Sequence, residues 1–183
     1  VAVLLKVGTA LLGDTAAAVK LIAFITSLIT LVVVYRLALH FISKQQALIF
    51  ICVFACTPML GILSWIVTPD VPMMLCWALA VLFIYKADTE NTHIWWGLAG
   101  IFTGLAFDSK YTAVFILAGL FIYLIAKPDR WRRIFSIGIL LYALGFIISI
   151  MPVFIWNNQN DWASISFQTT QRAQGSSFSL KPQ

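Results

Sequence analysis

The chain has 183 residues, of which 61% are hydrophobic and 10% charged, and its mean hydropathy is +0.94. Soluble domains carry about 25% charged residues, so the composition excludes an ordinary soluble domain and points to an integral membrane protein. The net charge of +5 does not imply a nucleic-acid partner, because the basic residues are scattered or flank apolar runs instead of forming a soluble basic face.

A helix needs about 20 apolar residues to cross a hydrocarbon core of about 30 Å. The expected fold class is therefore all-α integral membrane, with about six spans in a single membrane domain covering residues 1–183 and no room for a soluble one. Residues 1–12 are apolar but too short to span, and Gly13-Asp14 ends them, which predicts a helix lying in the membrane interface. The alternative is the frayed end of a further span. Residue 1 opens directly into apolar sequence, so no signal peptide is visible, and the chain is expected to be an internal fragment of something longer.

The first span is predicted over 16–39, with Lys20 and Arg36 near its ends, where both side chains can snorkel. The second covers 46–67 and carries Trp65 as an interfacial anchor. Thr68-Pro69-Asp70 makes a turn, and Pro72 suits the first turn of a third span running to about residue 85. Lys86, Asp88, Glu90 and His93 are then expected in a wet loop.

Residues 94–126 form one overlong helix or a hairpin that turns at Asp108-Ser109-Lys110. The hairpin places Arg36, Lys44, Lys86, Lys127, Arg130, Arg132 and Arg133 on one side, seven of the twelve basic residues, as the positive-inside rule requires. A single helix would strand an Asp and a Lys at mid-membrane. Two short spans, 94–107 and 111–126, are therefore expected, and the last span covers 134–156. Asn157-Asn158-Gln159-Asn160-Asp161 is too polar for hydrocarbon and marks an outer-face tail over 157–183. In that tail Trp162, Ile165 and Phe167 with Gln168, Gln171 and Arg172 can form an amphipathic segment, and residues 175–183 read as loop. Gly100 and Gly104 form a GxxxG pair that signals a close helix contact.

With this topology two polar places stand out on the outer face. Asp70 lies at a membrane lip, either as a helix-start acid favoured by the helix dipole or as a functional carboxylate. The runs flanking Asp108-Ser109-Lys110 would be about 21 and 24 Å of helix at roughly 1.5 Å per residue, so this turn should sit slightly below the surface. A recessed lysine beside a serine can hold a lipid-linked phosphate; the plainer alternative is an Asp-Lys pair that caps the hairpin. Arg172 can reach a phosphate as well, or stand as a solvated tail residue. Cys52, Cys56 and Cys76 lie in apolar runs, and His40 and His93 fall in separate loops, so no metal site is expected. No phosphate-binding glycine loop, nucleophile elbow or cofactor motif is present in the sequence.

Three stretches carry a family resemblance: Thr68-Pro69-Asp70-Val71-Pro72, the run Gly104-Leu105-Ala106-Phe107-Asp108-Ser109-Lys110-Tyr111-Thr112-Ala113, and Pro152-Val153-Phe154-Ile155-Trp156-Asn157. In order and spacing they resemble motifs of bacterial family 39 glycosyltransferases. That group is similar to the dolichyl-phosphate-mannose protein mannosyltransferases and the aminoarabinose transferases of lipid A, within the GT-C fold. The resemblance implies an inner-membrane enzyme that moves a sugar from a polyprenyl-phosphate carrier to a lipid or protein acceptor on the outer face. By resemblance Asp70 takes an acidic catalytic position and Lys110 faces the carrier phosphate, flanked by Asp108, Ser109 and Tyr111. The family's principal acid lies in a first outer loop for which no counterpart is visible here, so these residues alone are expected to be inactive. Two readings from other classes are a transporter or lipid flippase, which should show a paired repeat that is not visible, and a noncatalytic membrane subunit that packs through Gly100 and Gly104.

Overall fold

The structure is a computed structural model that describes residues 2–63, 65–126 and 135–166. These residues form helices joined by short turns: α1 (Ala2–Leu12), α2 (Ala16–Ala38), α3 (Lys44–Ala55), α4 (Pro58–Leu63), α5 (Asp70–Glu90), α6 (His93–Ser109), a 3₁₀ turn (Tyr111–Ala113), α7 (Val114–Ile125), α8 (Ile137–Gln159) and α9 (Ala163–Ser166).

Local chemistry sets the helix ends. The Thr15 hydroxyl accepts a hydrogen bond from the Ala18 amide and starts α2. Ser43 and Gln46 form a reciprocal capping box at the start of α3. Asn91, in the left-handed region with φ 51°, ends α5. Asparagine tolerates that conformation better than a branched residue would.

Among the described residues three helices are long and apolar enough to cross a membrane: α2, α5 and α8. The expectation of about six spans is corrected accordingly. The predicted second span breaks at Thr57-Pro58 into α3, of 12 residues, and α4, of 6. Proline has no amide hydrogen to continue the ladder and restricts the residue before it. α6 has 17 residues, and α7 has 12 beyond the 3₁₀ turn. α5 is longer than predicted, because Lys86, Asp88 and Glu90 extend it by a turn where a loop was expected. α8 likewise runs through Asn157 to Gln159, past the predicted exit at residue 156. The predicted basic cluster Lys127, Arg130, Arg132 and Arg133, the residues of the tail beyond 166 and Arg172 among them lie outside the described residues.

The turn at Lys110 is the hairpin that the charge pattern favours. Lys110 is extended, with φ −159° and ψ 128°, and stops α6. α7 then returns antiparallel to α6, with Ile116 packed near Ala106 and Leu124 in one cluster with Trp96 and Ala99. α8 runs parallel to α6, so Gly138 lies beside Trp96 and Ser149 beside Gly104. The close contact expected of Gly100 and Gly104 is made with α8. A Cβ on Gly100 would overlap the Tyr142 backbone, and one on Gly145 would come 2.5 Å from the Gly97 carbonyl oxygen. At the same seam the Tyr142 hydroxyl donates to Thr103 Oγ1 at 2.9 Å, and Thr103 is fully buried. α2 lies along α5, with Val33 packed on Ala78 and Leu82. The start of α5, the end of α6 and the end of α8 therefore meet at one end of the bundle.

Candidate functional site

The junction at that end holds an open cavity of about 630 Å³ lined by Pro69, Asp70, Phe107, Asp108, Ser109, Lys110, Tyr111, Thr112, Trp156, Ala163 and Ser164. Small-molecule sites fall within about 300–1,000 Å³, so the volume is that of a small-molecule site. Asp70 is the first residue of α5, and Lys110 caps α6. Their side chains meet across 40 positions of sequence, with Lys110 Nζ 2.6 Å from Asp70 Oδ1.

Both side chains keep access to the cavity, at 24% exposure for Asp70 and 39% for Lys110. The first turn of a helix favours the Asp70 charge, since unpaired amides give that end partial positive character. A cation held by a single carboxylate retains donors for a second anion, because an ammonium carries three.

Asp108 projects from the last turn of α6 onto the same cavity. Its Oδ1 is buried and, among the described residues, has no hydrogen-bond partner; the same holds for Thr68 Oγ1. An unsatisfied buried polar group costs about 1–3 kcal/mol. Ser109 turns its hydroxyl back to the Leu105 carbonyl at 3.0 Å. Tyr111 packs its ring on Phe107, with centroids 5.2 Å apart, and the Thr112 hydroxyl lies 3.6 Å from Met73 Sδ.

The structure thus brings Asp70, Asp108, Ser109, Lys110 and Tyr111 around one cavity, while Arg172 lies outside the described residues. It adds Trp156, Ala163 and Ser164, which were not singled out as site residues. Trp156 stands in the third motif of the sequence and was therefore findable. Ala163 and Ser164 reach the cavity through a sharp turn after α8 that composition does not announce. Among the described residues no group of three or more His, Cys, Asp or Glu is placed to hold a metal ion.

No curated protein and no solved structure matches this chain. A family model described as dolichyl-phosphate-mannose-protein mannosyltransferase matches residues 1–156, and the chain belongs to that family.

Proposed function

We propose that the cavity at Asp70 and Lys110 is the donor site of a glycosyltransferase that moves a sugar from a polyprenyl-phosphate carrier to a lipid or protein acceptor. Family membership implies a membrane glycosyltransferase dependent on a polyprenyl-phosphate sugar. The identity of the acceptor, the bacterial inner membrane and the outer face belong to our reading. The observation that carries it is the ion pair between Lys110 and Asp70 on the wall of that open cavity.

In this reading Lys110 holds the carrier phosphate. An acceptor hydroxyl oxygen forms a bond to the anomeric carbon as the bond from that carbon to the phosphate oxygen breaks, and the electron pair leaves with the phosphate. Lys110 stabilises the charge that develops there. Asp70 orients the acceptor hydroxyl, whose proton passes to the family's principal acid in the first outer loop. Asp108, on the cavity wall, accepts a hydrogen bond from a donor hydroxyl, and Ser109 and Tyr111 flank the phosphate.

The test is transfer of mannose from a labelled polyprenyl-phosphate mannose in membranes carrying the complete protein. Asp70→Asn and Lys110→Ala should each abolish transfer while expression is maintained. Transfer at the wild-type rate in both variants rejects the assignment. An alternating-access transporter would move the lipid without cleaving it.

A further inference from the structure

The third motif ends on Asn157, which the chemistry above does not use, and its surroundings are unusual for an asparagine near a helix end. It is 3% exposed. Its Nδ2 donates to the Val153 carbonyl at 3.0 Å, and its Oδ1 accepts from the Ser164 amide at 3.2 Å. Its own backbone carbonyl accepts from the amides of Asn160, at 3.1 Å, and Trp162, at 2.9 Å. One residue therefore ties the last turn of α8 to the start of α9.

The turn it closes is held in an uncommon backbone state. Asp161 and Trp162 both lie in the left-handed region, with φ of 51° and 56°, without a glycine between them. Such conformations persist when surrounding contacts over-determine them. Here the contacts are the Asn157 hydrogen bonds and an edge-to-face pair of Trp162 with Phe154, with centroids 5.1 Å apart and ring planes at 78°. The result of this bracing is that Ala163 and Ser164 become cavity wall, beside the half-exposed ring of Trp156.

We infer that Asn157 is a positioning residue: it fixes α9 and Trp156 as the wall against which the donor sugar rests. The inference rests on the donor-site reading. With the phosphate at Lys110, the lining that comes from the end of α8 and from α9 is Trp156, Ala163 and Ser164. A half-exposed indole offers an apolar face to the C–H face of a sugar ring. Only a group that donates and accepts at once can serve both Val153 and Ser164, which is what a carboxamide supplies.

The experiment measures binding of two probes, farnesyl phosphate and farnesyl-phosphate mannose, to the complete protein in lipid nanodiscs. The wild type should bind the mannosylated probe more tightly. Asn157→Ala should weaken that probe by about tenfold, the worth of one or two hydrogen bonds, and leave farnesyl phosphate within about twofold. Asn157→Asp, which keeps an acceptor for the Ser164 amide, should restore part of the difference. Trp162→Ala removes the aromatic brace without touching a lining residue, should act in the same direction, and keeps the test open if Asn157→Ala does not fold. Equal weakening of both probes in the variants, no weakening, or a wild type indifferent to the sugar would overturn the inference while leaving the phosphate site standing. A wild type that binds neither probe would overturn the donor-site reading and this inference together.

Discussion

The two ends of the α5–α6 hairpin carry the same kinds of residue and use them differently. At the Lys110 end, Asp70 and Lys110 meet at 2.6 Å across 40 positions and line a polar cavity. At the other end, Lys86 and Glu90 are 3.9 Å apart at i,i+4 on one helix, Trp95 Nε1 donates to Glu90 Oε2 at 2.6 Å, and Lys86 sits 4.4 Å from the Trp95 ring centroid. The second cluster is local, and its carboxylate is half exposed. Such a pair contributes about 0.3–0.5 kcal/mol and needs no tertiary structure to form. The first requires the helix start, the helix end and the hairpin turn to be in register. The cavities differ in the same way. The groove toward the second end, about 650 Å³, is lined mainly by apolar and aromatic residues such as Trp77, Ile84, Phe115 and Leu120. Similar volumes therefore suit different occupants: the Lys110 end joins its cavity to an ion pair, whereas the second groove carries the Asp88 carboxylate, which accepts from the Tyr123 hydroxyl.

Substitutions that separate the two ends should follow that contrast. The largest effect is expected for Lys110→Ala, at least about 100-fold in transfer rate, as for loss of a donor aimed at developing negative charge. Lys86→Ala should change the rate by less than about twofold, because its carboxylate partner is local and half exposed. Parallel assays of sugar transfer read both. Next comes Gly100→Leu, which forces a side chain into the Tyr142 backbone where α6 packs on α8. Overpacking of this kind costs about 1–3 kcal/mol or more, and thermal unfolding in detergent should show a lowered midpoint together with loss of transfer. Asp108→Asn keeps the shape of the side chain but removes its charge, and should weaken donor binding by about tenfold, the value of one charge-assisted hydrogen bond. Donor titrations check this, and unchanged affinity would detach Asp108 from the site. The smallest effect belongs to Glu90→Gln, within about 0.5 kcal/mol of wild-type stability and silent in transfer.

Much of this arrangement was legible in the sequence where charge interrupts hydropathy. Asp108 and Lys110 break an apolar run that a bilayer tolerates poorly, so the hairpin followed, and with it the meeting of Asp70 and Lys110 at one end. The span count was less legible. Hydropathy treats 46–67 as continuous, yet the backbone stops at Thr57-Pro58 for want of an amide hydrogen, and α6 and α7 fall short of a full crossing. Lys86, Asp88 and Glu90 read as loop because they are polar, although helix α5 continues through them until Asn91 turns left-handed. Asn157 misled in the opposite sense. A polar residue after an apolar run suggests exit, but its carboxamide bonds back to Val153 and forward to Ser164, which lets it stay buried. The wall at Ala163 and Ser164 depends on left-handed Asp161 and Trp162, residue types that carry no turn signal of their own.

The most direct measurement is the affinity of farnesyl phosphate for the complete protein in nanodiscs, compared among wild type, Lys110→Ala and Lys86→Ala. Binding that is lost in Lys110→Ala and kept in Lys86→Ala is the predicted result. Equal affinity in the wild type and Lys110→Ala would contradict the assignment of the Lys110 end as the place where the carrier phosphate is held.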